Sequence, residues 1–147
     1  MDKSLVTFVG VAHPWMCDVM GHLNVRHYAA MFDDASFQLL GHIAAEATHP
    51  GARVGWADVR TEIDYKDEIE AGSLLTIHSH VVKMGRSSVT FEQVMSGSLD
   101  GIVRYAGRQA SASTCPRGLR SRSMRRCASA PRLSWRSDLT VVVSQPS

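Results

Sequence analysis

One stretch of this chain repeats with helical period, and the patterned segments around it alternate by two. From Asn24 the apolar positions Val25, Tyr28, Phe32, Ala35, Leu39 and Ile43 recur every three or four residues. That spacing puts them on one helical face, with Asp33, Asp34 and Gln38 on the other. Asn24 is a plausible cap, because its side-chain oxygen can accept an orphan N–H of the first turn. His49-Pro50-Gly51 predicts where the helix stops. A long helix with one buried stripe must lie on something apolar, and here only a sheet is on offer.

The flanking segments predict that sheet. Residues 4–12 are rich in Val and Phe and form a first strand, ended by His13-Pro14-Trp15 because Pro removes a ladder donor. Val59, Thr61, Ile63 and Tyr65 alternate with Arg60, Glu62 and Asp64, the pattern of a half-buried strand. A polar connection over 67–72 leads to a second alternating run at 74–82. Met84-Gly85-Arg86 turns it, and 88–95 returns as a third. A turn over 96–101 precedes a fourth strand starting at 102–106. The fold class is α+β: one long helix packed on one face of an antiparallel sheet.

With 147 residues, 44% of them hydrophobic, the chain has room for one domain with a real core. No apolar run approaches the ~20 residues of a membrane helix. The first eleven residues carry one Lys and no signal-peptide pattern. Cys17, Cys115 and Cys127 have no metal-type spacing and are expected as reduced thiols in a cytoplasmic protein. The net charge of +2 hides a split: residues 1–100 hold 7 Lys/Arg against 13 Asp/Glu, residues 101–147 hold 9 Arg against 1 Asp.

The second half of that split coincides with a loss of pattern. Residues 106–137 carry 8 of the 13 Arg, 7 Ser and no acid, with no period of two or 3.6. The expected division is a domain over 1–106 and an atypical Arg/Ser-rich segment over 107–147. Three readings of that segment stand: a disordered basic tail, a divergent folded ending with a strand at 139–143, and an ending read out of frame. The last is favoured because the loss is abrupt and falls inside an expected core strand. With only Trp135 among the arginines, no nucleic-acid partner is expected.

The chemistry concentrates in Asp18-Val19-Met20-Gly21-His22-Leu23-Asn24-Val25-Arg26-His27-Tyr28. A carboxylate such as Asp18 can attack a thioester carbonyl to give an anhydride, or act as base on water. Either route puts negative charge on the carbonyl oxygen, and free N–H groups at a helix start favour anions. Gly21 permits a tight turn, and His22 could orient substrate or water. Tyr28, one turn into the helix, suits packing better than reaction. Taken alone, a lone Asp before a helix is most often a capping or turn residue.

The segment Asp18-x-Met20-Gly21-His22-Leu23-Asn24-x-x-x-Tyr28, with Phe32 on the helix that follows, resembles the active-site segment of hotdog-fold acyl-CoA thioesterases of the 4-hydroxybenzoyl-CoA thioesterase-like group. The resemblance covers residues 4 to about 105. It implies a hotdog fold, a helix wrapped by an antiparallel sheet, with two protomers joining their sheets. It implies Asp18 as the catalytic acid and the backbone from His22 to Val25 as the group that polarises the thioester carbonyl. The catalytic set is then Asp18, Gly21, His22 and Asn24, with Tyr28, Met20, Val25 and Arg86 binding substrate. Arg86, after the Gly85 turn, reads first as an exposed turn residue and second as a partner for CoA phosphates, and Met16, Met20 and Met31 suit core gaps and an acyl pocket equally.

The expected reaction is hydrolysis of an acyl-CoA thioester to acid and CoA, without metal or bound cofactor, in a homodimer or homotetramer away from membranes. His78 and His80 share a strand face, but no third ligand is spaced to join them. The alternatives are a non-catalytic acyl-CoA-binding hotdog protein and a hotdog dehydratase acting on hydroxyacyl or enoyl thioesters.

Overall fold

The expected helix and strands form, and they assemble around one central helix. The structure, a computed structural model, describes residues 4–47, 54–99 and 104–116. The elements in chain order are β1 (Leu5–Val11), a short 3-10 turn (Pro14–Met16), α1 (Val25–Ala47), β2 (Val54–Tyr65), β3 (Leu74–Met84), β4 (Ser88–Gly97) and β5 (Arg104–Pro116). The strands make one antiparallel sheet in the order β1-β3-β4-β5-β2. α1 crosses its inner face, so the arrangement is the α+β hotdog layout expected above.

The core is built from α1's stripe and the alternate residues of the strands. Near the amino half of α1, Tyr28, Met31, Phe32 and Ala35 pack with Leu75, Ile77, Met95 and Ala106. Near its carboxyl half, Leu39, Leu40 and Ile43 pack with Val89, Phe91, Ala110 and Ala112. Phe32 and Phe91 are fully buried, each worth roughly 1.5–3 kcal/mol of transfer free energy.

A band of buried polar side chains separates the two apolar clusters. Thr7 and Ser79 share a hydroxyl hydrogen bond of 2.6 Å, and Gln93 Nε2 donates to Ser79 Oγ at 3.1 Å. Ser36 on α1 sits above them, its Oγ 3.5 Å from Gln93 Oε1. Arg108 on β5 completes the band, donating to Ser36 Oγ at 2.9 Å, to Thr61 Oγ1 at 3.0 Å and to Asp58 Oδ2 at 3.4 Å. The band therefore joins residues of all five strands to the middle of the helix.

Two expectations are corrected. The boundary placed at 106 falls inside β5, which runs on to Pro116 between β4 and β2. Its inward residues are Ala106, Arg108, Ala110, Ala112 and Thr114, so three of the five are alanines and the apolar bulk comes from α1 and β4. The segment 117–147, including the expected strand at 139–143, lies outside the described residues. β2 also starts at Val54 rather than Val59, and its register shifts between Asp58 and Arg60. That bulge turns Val59 outward, 64% exposed, instead of into the core.

Because the alanines of β5 face the helix, added bulk there has nowhere to go. Ala110→Leu is expected to lower stability by about 1–3 kcal/mol through overpacking. A urea melt with an unchanged midpoint would show that β5 does not lie under Leu39 and Ile43.

Candidate active site

The segment leading into α1 is held in place from two sides. Leu23 N–H donates to Ile69 O at 2.7 Å and Asn24 N–H to Met16 O at 3.0 Å. Short bridges pair Cys17 with Leu23 and His22 with Glu70. The 66–72 connection is itself fixed, because Lys66 and Asp67 N–H both donate to Tyr105 O on β5 and Gly72 N–H donates to Ala12 O. The loop bearing Asp18 is thus clamped between the 3-10 turn and the connection after β2.

Asp18 closes the turn. Its Oδ1 accepts from Met20 N–H at 2.8 Å and His22 N–H at 3.3 Å. Its own N–H donates to His22 O at 2.9 Å, and Gly21 N–H returns to Asp18 O at 3.0 Å. Gly21 sits at φ +80, a left-handed backbone that side-chain-bearing residues rarely adopt. Asp18 is exposed, and its second carboxylate oxygen has no partner among the described residues. One oxygen therefore fixes the loop while the other faces solvent.

Asn24 caps the helix as expected, its Oδ1 accepting from Arg26 N–H at 3.2 Å. The donors expected at His22 to Asn24 are already used inside the fold: by Asp18 Oδ1, Ile69 O and Met16 O respectively. Val25 N–H, at the first helical position, has no partner among the described residues. Of the expected stretch His22 to Val25, Val25 is therefore the one that keeps a free donor among the described residues. Its side chain, with those of Val19, Met20 and Trp15, forms an exposed apolar rim near Asp18, from 58% exposed at Val25 to fully exposed at Val19.

Tyr28 belongs to the core. It is 4% exposed, its ring meets Tyr65 edge-on at 5.2 Å, and its hydroxyl donates to Asp67 O at 3.4 Å. It supports the site through the connection it anchors, and does not reach the solvent side where a substrate would enter. Burial pushes its pKa up to about 12. The unfolded chain titrates near 10, so this contribution is complete below pH 10 and fades as pH rises through 12. The loss amounts to about 2–3 kcal/mol. Tyr28→Phe is expected to flatten that alkaline decline in melting temperature, and an unaltered decline would assign it to other groups.

Arg86 is not at this site. It lies exposed in the β3–β4 hairpin, at the far end of β3 from Leu74, which pairs with Val11. The ten steps of β3 in between span about 33 Å. His78 and His80 both lie on the outer sheet face. His80 Nε2 stands 3.3 Å from Glu92 Oε2, and His78 lies opposite Val94.

Two features near Asp18 have no signature in the sequence. Glu68 Oε2 stands 3.2 Å from His22 Nδ1, a contact between residues that only the fold brings together. Trp15, 69% exposed, stacks on His13 at 6.1 Å and meets His27 edge-on at 5.4 Å. A polar connection gave no reason to place Glu68 against His22, and a strand-ending His-Pro-Trp none to place Trp15 against His27.

Comparison with known proteins points the same way as this geometry. A family model described as the thioesterase-like superfamily matches residues 12–115. No curated protein matches the chain. Among solved structures, the PA2801 protein of Pseudomonas aeruginosa aligns with a TM-score of 0.67 at 16% identity, covering 78% of this chain and 87% of its own. A thioesterase-superfamily protein from Jannaschia sp. CCS1 gives 0.66 at 15%, covering 75% and 69%. HI0827, a hexameric broad-specificity acyl-coenzyme A thioesterase, gives 0.66 at 17%, covering 84% and 88%. At these identities the likeness is one of fold. Among the described residues no helix is long and apolar enough to cross a membrane.

Proposed function

Since the chain belongs to the thioesterase-like superfamily, we propose that it hydrolyses an acyl-CoA thioester to the free acid and CoA, with Asp18 as nucleophile or general base. The observation that carries this reading is the division of labour at Asp18. Oδ1 is tied to Met20 and His22 N–H, the other oxygen has no partner among the described residues, and neither has Val25 N–H at the start of the helix that follows. In the nucleophilic route that oxygen bonds to the thioester carbon, the C–S bond breaks, and CoA leaves as thiolate. Water then cleaves the mixed anhydride and restores the carboxylate. In the base route Asp18 takes a proton from water, whose oxygen attacks the same carbon; the C–S bond breaks, and the CoA thiolate leaves with the proton that Asp18 returns. In both, Val25 N–H and the helix dipole are suited to the oxyanion.

The exposed rim of Trp15, Met20 and Val25 suits contact with the acyl group or with a second protomer. β2 is an edge strand of 12 residues. An edge of that length, unpaired among the described residues, suits the sheet-joined homodimer or homotetramer expected here.

The test is a screen of acyl-CoAs with a reagent for free thiol. CoA release above background supports the hydrolase. A second reading, an acyl-CoA-binding protein without chemistry, draws on the turn bonds, which give Asp18 a structural role of its own. Binding without thiol release would establish it and overturn the first.

A further inference from the structure

His22 is held both by its main chain and by its ring. Its N–H donates to Asp18 Oδ1 at 3.3 Å, and its carbonyl oxygen accepts from Asp18 N–H at 2.9 Å. On the other flank its backbone bridges to that of Glu70. The ring is half-buried, and its Nδ1 stands 3.2 Å from Glu68 Oε2. The Asp18 turn and the connection after β2 thus fix where the imidazole is rooted, and one carboxylate faces one of its two nitrogens.

Glu68 has an exposed side chain on a well-anchored backbone. Asp67, just before it, donates its N–H to Tyr105 O at 3.1 Å and accepts the Tyr28 hydroxyl at its own carbonyl. Asp67 Oδ1 also accepts from Glu68 N–H at 2.9 Å. Ile69, just after it, is fully buried and accepts the Leu23 N–H. An exposed ion pair contributes little to stability. What this pair does is orient a ring.

An ionised carboxylate only accepts hydrogen bonds, so the ring nitrogen that faces it carries the hydrogen. Neutral His22 then has its hydrogen on Nδ1 and a lone pair on Nε2. That nitrogen has no partner among the described residues. An imidazole held by a carboxylate at one nitrogen and open at the other is arranged to take a proton from water.

We propose that Glu68 is a positioning residue for His22, and that His22 Nε2 is the base in the second stage of hydrolysis, where water cleaves the Asp18 anhydride. The assignment rests on the thioesterase reading and on its nucleophilic route. Asp18 cannot be its own base at that stage, because its carboxylate is tied up in the acyl bond. The water oxygen bonds to the acyl carbon while Nε2 takes one water proton. The C–O bond to Asp18 breaks, its electron pair restores the carboxylate, and the free acid leaves. The imidazolium gives its proton to the CoA thiolate released in the first stage, which returns His22 to its neutral form.

The test uses the whole chain and the acyl-CoA from which it releases thiol fastest. Glu68→Ala is expected to spare the first stage and slow the second. A burst of about one thiol per site then precedes a steady rate about 10- to 100-fold below that of the parent, part of the 10²–10⁴ that a positioned base supplies. Glu68→Gln, whose amide oxygen still accepts from Nδ1–H, is expected to recover part of that rate. Nitrogen NMR of the His22 ring reads the tautomer with no substrate present: Nδ1–H in the parent, and a shift toward Nε2–H in Glu68→Ala. Thermal melts check that both variants fold. A parent carrying Nε2–H, or a Glu68→Ala variant without a burst, would overturn the assignment and leave the thioesterase reading standing. A parent that releases no thiol from any acyl-CoA would remove both.

Discussion

Asp18→Asn is expected to lower thiol release from the best acyl-CoA substrate by about 10²- to 10⁴-fold, the range for loss of a positioned acid or base. The substitution isolates the chemistry from the architecture. An Asn side-chain oxygen can still accept from Met20 and His22 N–H, so the turn that positions the loop survives. What disappears is the negative charge and the basic second oxygen. The unfolding midpoint is therefore expected to stay close to that of the parent. Asp18→Ala removes the acceptor as well, and is expected to lower stability by a further ~1 kcal/mol, as loss of a cap does. Two variants equally inactive but unequal in stability would separate the two roles of the residue. An Asn variant with parental turnover would remove Asp18 from the mechanism and leave only its turn.

The contrast between α1 and β5 shows what a sequence pattern can carry. α1 announces itself because a single stripe of large residues meets a sheet, and because Asn24 marks its start with a bond that exists in the folded chain. β5 alternates as the other strands do, but three of its five inward residues are Ala106, Ala110 and Ala112, interleaved with Gly107, Gln109 and Ser111. Small residues facing a bulky helix look like no pattern at all, so the strand was lost just where it enters the core. The site divides in the same way. Asp18, Gly21 and Asn24 interact with neighbours a few residues off, and their roles follow from spacing. Glu68 meets His22, and Trp15 meets His27, only through tertiary placement. His22 to Asn24 were natural oxyanion donors until the connection after β2 and the 3-10 turn took their hydrogen bonds.

Arg108 belongs by sequence to the charge excess of the ending, yet it is enclosed by the core. It is 5% exposed, and among the described residues its Nε has no partner and its one carboxylate, Asp58, is half-exposed at 3.4 Å. Taking a guanidinium out of water is costly, and removing its partner leaves that cost uncompensated. Asp58→Ala is therefore expected to destabilise by about 3 kcal/mol, the lower end of the range for breaking a buried pair, since water can reach the vacated position. Arg108→Met removes the charge but keeps an unbranched chain between the two apolar clusters. Ser36 retains its bond to Phe32 O, and Asp58 can turn to solvent, so no buried ion is stranded. Its cost is expected to be smaller than that of Asp58→Ala, and the double variant is expected to match Arg108→Met alone. Urea melts of the three proteins decide the matter. If Arg108→Met is the more damaging single change, the guanidinium is holding α1 to β2 through Ser36 and Thr61 by more than its charge costs, and the polar band is a net source of stability.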